Sequence, residues 1–314
     1  MKKVYCVGEL LIDFVAENQG ADLSIASSFV KKAGGAPANV AAAIAKLEGK
    51  SEFVGCVGQD AFGDFLAETL KENGVGITNL QRSNIFTTLA FVSIAEDGER
   101  DFVFSRGADK ELVHQEELAS DLKNQIVHFG AATSFLGGSL ETAYHQYLED
   151  AISENAFISF DPNYRADLWK GNSDVFIEKC IPYIKKADFA KFSEEEAMLI
   201  AGKETLLDAC KALHLYGVKL IAVTLGSKGT FLSTENENII IESTAVTAVD
   251  TTGAGDAFVG CFLYQLSLED NISETINDFS KLKKMIAIAN KAGAITTTKF
   301  GAINALPTAD QVGV

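Results

Sequence analysis

The chain has 314 residues, of which 43 are acidic and 27 basic, for a net charge of −16 at pH 7. So acidic a surface repels nucleic acid and anionic lipid, which argues against both as partners. The 47% hydrophobic content suits a globular protein, and no apolar run reaches membrane-spanning length.

In chain order, "VYCVG" (4–8) predicts a first strand and "PANVAAAIAKL" (37–47) a helix with proline in its first turn. "EFVGCVG" (52–58) predicts a strand, and "DAFGDFLAETLKENG" (60–74) a helix stopped by Gly74. Strands are expected at 126–130, 156–161, 188–193 and 220–226, with helices between them, one near 140–154. Helices over 254–267 and about 274–292 close the chain. This alternation implies an α/β fold: a central, mostly parallel sheet flanked by helices.

One stretch departs from the rhythm. "TTLAFVSIAEDGERDFVF" (87–104) alternates, turns at Asp97-Gly98 and alternates again, as a β-hairpin does. "ADLSIASSFVKK" (21–32) is expected to pair with it. A single domain over 1–314 follows, with a small discontinuous β lid from about 14–33 and 87–106.

Cys6, Cys56, Cys180, Cys210 and Cys261 lie far apart in apolar stretches, and the four histidines do not cluster with them. Buried free thiols in a reducing compartment are expected, not a zinc site or disulfides. The basic start "MKKVYCVGELLIDFV" carries Glu9 and Asp13 and meets no small-residue cleavage site, so a cytoplasmic location is expected.

The chemistry concentrates in "DTTGAGDAF" (250–258), directly ahead of a long apolar helix. Asp256 can be an N-cap with glycines making the turn. Alternatively, the glycines let the N–H groups of 253–256 converge on an anion at the positive end of the helix dipole. In open α/β sheets ligands bind in the loops after the strands, and those loops carry further polar residues. "GELLID" sets Glu9 and Asp13 near the sheet edge, and "KKAGGAPAN" opens a helix with Asn39 in its first turn. "DPNYRADLW" gathers Asp161, Asn163 and Arg165; "SEEEA" offers Glu196; "GSKGT" offers Ser227 and Lys228 between glycines. "EGKS" (48–51) lacks the first glycine of a P-loop, and no G-x-G-x-x-G follows a strand, which counts against a nicotinamide dehydrogenase.

"GGAPANVAAAIAKLEGKSEFVGCVGQDAFG" (34–63) and "DTTGAGDAFVGCFL" (250–263) resemble the two signatures of the ribokinase-like, or PfkB, family of sugar kinases. The likeness runs in order along essentially the whole chain. "FDPNYRADLW" with "FVFSRGAD" (102–109) is most similar to the fructokinase branch. The resemblance implies a ribokinase-like fold and ATP-dependent phosphorylation of a ketose at its primary hydroxyl, fructose first among them. It implies Asp256 as base and the N–H groups of Gly253, Ala254, Gly255 and Asp256 as an anion hole. Asp13, Gly34, Gly35, Asn39, Arg106, Asn163 and Arg165 would face the sugar. Ser193, Thr224, Gly226, Ser227, Lys228, Gly229 and Asn290 would face the nucleotide. Glu196 would orient the water shell of Mg2+, and Asp250 with the Thr252 carbonyl matches a K+ site. Asp256, at a helix N-terminus, is expected to stay ionised and be a weak base.

Two positions depart from the family. Ser193 stands where asparagine is frequent, and Ala305 where some relatives offer serine. The alternatives are 2-keto-3-deoxygluconate kinase, with Arg106 or Arg165 taking the carboxylate, and a sugar-binding regulator on a kinase fold. A homodimer through the lid sheet is also expected, since a sheet edge is a template for association.

Overall fold

The computed structural model describes residues 1–17, 20, 23–94 and 100–314. Its strands are β1 (Lys3–Val7), β2 (Leu11–Ala16), β3 (Phe29–Gly34), β4 (Lys50–Gly58), β5 (Leu80–Ser83), β6 (Leu89–Ile94), β7 (Arg100–Ser105), β8 (Ile126–Gly130), β9 (Phe157–Asp161), β10 (Phe189–Ser193), β11 (Leu220–Thr224), β12 (Thr230–Thr234) and β13 (Asn238–Ile241). The helices are α1 (Ala36–Lys46), α2 (Ala61–Glu72), α3 (Ser139–Ser153), α4 (Ser173–Ile184), α5 (Glu194–Ala201), α6 (Leu206–Tyr216), α7 (Ala254–Ser267), α8 (Ile272–Thr275), α9 (Phe279–Thr296) and α10 (Ala309–Val312).

Nine strands form the large sheet in the order β13-β12-β11-β10-β9-β8-β1-β4-β5. The seven from β11 to β5 pair in parallel; β12 and β13 add an antiparallel edge. In β1, Val4 and Cys6 enter one core layer and Tyr5 and Val7 the other, because both faces of a parallel sheet are covered. The first layer is closed by α1, α7 and α9, the second by α3, α4, α5 and α6. The chain leaves β1 toward β4 on one side and β8 on the other, so the strand order reverses at β1. Loops diverge at such a point and leave a crevice at the C-terminal strand ends.

The small sheet has the order β3-β2-β6-β7. The hairpin of β6 and β7 forms with Ile94 opposite Arg100, while the expected turn at Asp97-Gly98 lies outside the described residues. The other half differs from the sequence expectation. "LLIDFV" is not a loop at the sheet edge but the inner strand β2, antiparallel to β3 and parallel to β6. Of the described residues in the stretch 21–32, only those from Phe29 on belong to a strand. The partner strand is therefore made of residues just downstream of β1, which ties the small sheet to the crevice.

Three further differences have local causes. The hairpin of β12 and β13 was not anticipated. The C-terminal helix divides because two caps compete: Asn271 accepts from Glu274 N–H to start α8, and Asp278 accepts from Lys281 N–H to start α9. Gly226–Lys228 is a single 3-10 turn linking β11 to antiparallel β12. Among the described residues, no helix is long and apolar enough to cross a membrane.

Candidate active site

A cavity of about 1090 Å3 opens between the small sheet and the C-terminal strand ends. Its floor is the start of α7. Gly253 caps that helix in the left-handed region (φ 76°), and a Cβ there would lie 2.6 Å from Cβ of Ala302. Glycine alone allows both the turn and the close approach. Ala254 N–H closes the turn onto the Thr251 carbonyl at 3.3 Å. The N–H groups of Gly253, Gly255 and Asp256 keep no partner among the described residues, so the cradle has three free donors rather than four.

Asp256 is not the cap. It sits in the first turn, only 9% exposed, and its Oδ2 accepts from Asn39 Nδ2 at 2.8 Å. The partner is in reach because α1 and α7 nearly touch: a Cβ on Gly260 would lie 2.5 Å from Cβ of Ala43. Burial pushes the Asp256 carboxyl up to about 6, and Asp161 adds to the rise. The Asn39 hydrogen bond and the charges of Lys191 and Arg165 oppose it. The helix N-terminus thus does not leave a weak base; desolvation outweighs it.

Around Asp256 stand the expected sugar-side residues. Asp13 reaches the cavity from β2, packed so closely on Gly34 that a Cβ there would meet its Oδ2 at 2.0 Å. Gly35 caps α1 at φ 114° over the Glu9 carbonyl. Asn39 Oδ1 is buried without a hydrogen-bond partner, as is Oε2 of Glu9, whose Oε1 accepts from Ala36 N–H at 2.9 Å. Burial pushes Glu9 up to about 8. Asn163 follows β9, and its N–H donates to Asp161 Oδ1. Arg165 is exposed on the rim, and its guanidinium has no carboxylate partner among the described residues.

Arg106 does not join them. Its guanidinium is committed to Asp109 and to the carbonyls of Leu136 and Thr133, away from the cavity.

On the other flank, Ser193 and Thr224 line the cavity. Ser193 caps α5 in a capping box with Glu196, whose second oxygen accepts from Tyr164 N–H at 2.8 Å. Gly226, Ser227 and Lys228 form the exposed turn after β11, outside the cavity lining. Gly229 is buried there, so close to β13 that a Cβ would meet the Ile241 carbonyl at 2.0 Å. Asn290 is likewise absent from the lining: Thr230 Oγ1 donates to its Oδ1, and its Nδ2 donates to the carbonyls of Ile241 and Glu242. It fastens α9 to β12 and β13. Asp250 joins two loops, with Oδ1 accepting from Thr252 N–H and Oδ2 from Gly301 N–H. Ala305 is buried and brings no side-chain oxygen. Among the described residues, no cluster of three or more His, Cys, Asp or Glu could hold a metal ion.

Lys191, a charged residue in the otherwise apolar "DFAKF", was missed by the sequence reading. It is buried, paired with Asp161 at 3.2 Å, and lines the cavity. Its signal was of the kind that singled out Asp13.

A buried carboxylate at a helix start beside free N–H groups is the constellation expected for transfer of an anionic group to a hydroxyl. Residues 1–309 match the family model described as pfkB family carbohydrate kinase. The chain belongs to that family. This PfkB kinase is 41% identical over 306 residues to probable fructokinase-5 of Arabidopsis thaliana, covering 96% of this chain and 93% of that one. Its fold is ribokinase-like. It matches the fructokinase of Xylella fastidiosa with bound ATP at a TM-score of 0.86 and 30% identity, covering 99% and 96% of the two chains. A fructokinase double mutant from Vibrio cholerae O395, bound to fructose, ADP and potassium ion, matches at 0.85 and 31%, covering 100% and 97%. A PfkB kinase is an ATP-dependent sugar phosphotransferase.

Proposed function

We propose that this kinase transfers the γ-phosphoryl of ATP to the primary hydroxyl of D-fructose, giving fructose 6-phosphate. The observation that carries the reading is Asp256, buried beside three unclaimed N–H groups at the start of α7. Its carboxylate takes the hydroxyl proton while the N–H groups receive the charge on the moving phosphoryl. Asn39 aims the carboxylate. The orphaned Asn39 Oδ1 and Glu9 Oε2, with Asp13, offer hydrogen-bond partners to sugar hydroxyls. Ser193 and Thr224 border the nucleotide.

Mg2+, when bound, neutralises the phosphate charges. Among the described residues no side-chain cluster could hold it alone, so the ATP phosphates would supply most ligands and Glu196 would reach its water shell. Asp250 and the Thr252 carbonyl are hard oxygen donors suited to K+, as the potassium-bound Vibrio enzyme encourages. We read the chain as one domain, with the small sheet over the cavity acting as its lid and pairing with a second copy in a homodimer. The buried free thiols suit a reducing compartment, and we place the enzyme in the cytoplasm.

One observation favours a second substrate: the Arg165 guanidinium on the rim, without a carboxylate partner among the described residues, suits the carboxylate of 2-keto-3-deoxygluconate. ADP release with each sugar decides. Turnover confined to the acid sugar overturns fructose; no turnover with any sugar leaves a sugar-binding regulator.

A further inference from the structure

Lys191 sits inside β10, and its ammonium is withdrawn from bulk water yet open to the cavity. A buried cation is tolerated when its donors are used. Here they are not. Asp161 Oδ2 lies 3.2 Å from Nζ without hydrogen-bond alignment, and Oδ1 accepts weakly at 3.5 Å. An ammonium has three N–H donors, so most of its capacity is unclaimed.

The direction it faces is fixed by Gly255. A Cβ there would stand 3.2 Å from Nζ, so the ammonium lies against the first turn of α7, beside the free N–H groups. Burial works to discharge it, but Asp161, Glu196 and Asp256 outweigh that and hold its pKa above the ordinary lysine value. It is a positive charge at the cradle.

We propose that Lys191 is a catalytic residue: its ammonium contacts an oxygen of the transferring phosphoryl and completes the α7 cradle, with Asp161 as its positioning residue. This rests on the phosphotransfer reading above. The bond from the γ-phosphorus to the bridging oxygen breaks, its electron pair leaving with ADP. The bond to the sugar oxygen forms, and the hydroxyl proton passes to Asp256. Lys191 keeps its proton throughout, stabilising charge that spreads over the phosphoryl oxygens.

The test uses the full chain with fructose, ATP and Mg2+, comparing parent, Lys191→Met, and the double variant Lys191→Met with Asp161→Asn. The double variant leaves no unpaired buried carboxylate, so it separates chemistry from folding. We expect kcat to fall about 100-fold or more in both variants, with KM for fructose changing less than about threefold. The acid limb of the pH–rate profile should also move up in Lys191→Met, because Asp256 loses a neighbouring positive charge, whereas loss of the Asp161 charge in the double variant offsets that rise. In addition, fructose with ADP and aluminium fluoride, a mimic of the moving phosphoryl, should inhibit the parent far more strongly than ADP alone, and the double variant no more strongly.

Recovery of kcat in the double variant to more than about a tenth of the parent value would mean that Lys191 serves only to neutralise Asp161, and the proposal falls. A parent that turns over no sugar overturns the kinase reading and the proposal with it. The two failures are distinct.

Discussion

Asn39, in the first turn of α1, donates its Nδ2 to Oδ2 of Asp256, in the first turn of α7, at 2.8 Å. The two residues are 217 positions apart in sequence, and each belongs to one of the two stretches that resemble family signatures. In the proposed reaction the bond joins the two stretches: one supplies the base and the other holds it. Asn39→Ala removes the donor and leaves a buried carboxylate unsatisfied, at a cost of about 1–3 kcal/mol. We expect kcat to drop by roughly one to two orders of magnitude, since a neutral hydrogen bond to a base contributes about that much to its placement. KM for ATP should stay near the parent value. Steady-state kinetics read both, and unchanged kcat would separate Asn39 from the base.

The pH dependence follows from two raised carboxyls. Asp256, faced by Asn39, Asp161, Lys191 and Arg165, titrates near 6, and Glu9, faced by Asp109 and Arg165, near 8. Activity requires ionised Asp256, so kcat/KM should fall as pH drops through 6. Stability runs the opposite way. In both groups the folded state holds its proton more tightly than the unfolded chain does. Their contribution is therefore present below about pH 4 and is lost as pH rises through 6 and then 8. Two units at Asp256 correspond to about 3 kcal/mol. Asp256→Asn should accordingly abolish turnover while melting higher than the parent at pH 7, by thermal unfolding. A lower melting temperature in that variant would contradict the burial argument.

How far the sequence reaches is seen in particular elements. α7 was anticipated at its observed limits, because Gly-Ala-Gly marks its start and an unbroken apolar run its body. Six of the seven parallel strands were anticipated within a residue or two, since both faces are apolar; β5, only half-buried, was not. β2 was not recognised, because its partner β6 lies more than 70 residues away and half-buried Asp13, Phe14 and Val15 dilute its pattern. Asn39, Asn163 and Arg165, which follow strands, do line the cavity, whereas Gly226, Ser227 and Lys228 after β11 do not. Asn290 and Arg106 were misplaced, because a motif shows that a polar side chain matters but not which carbonyls claim it. Lys191 was overlooked although a charge inside the apolar "DFAKF" is the same signal as Asp13; the sequence does not show that its side chain faces a cavity.

Asn290 gives a sharp test of that distinction. Its amide satisfies Thr230 and two carbonyls of the β13 region, so Asn290→Ala should cost about 1–3 kcal/mol of stability. If it touched the nucleotide, KM for ATP would rise instead. We expect a lower urea midpoint with KM for ATP within about twofold of the parent. The reverse pattern would return Asn290 to the nucleotide pocket.

Gly260 tests whether the α1–α7 contact sets the base. A Cβ there would come within 2.5 Å of Ala43 Cβ and 3.0 Å of the Val40 carbonyl, so α7 must move outward to admit it. Overpacking of this kind costs about 1–3 kcal/mol. Gly260→Ala should therefore lower the melting temperature and also lower kcat, because the outward shift stretches the Asn39–Asp256 bond. Replacing Ala43 by glycine on the facing helix removes the closest obstacle. The double variant Gly260→Ala with Ala43→Gly should regain kcat, though less stability, since glycine inside a helix costs about 1 kcal/mol relative to alanine. Loss of stability in Gly260→Ala without loss of kcat would show that the base is held by its own turn and not by the helix pair.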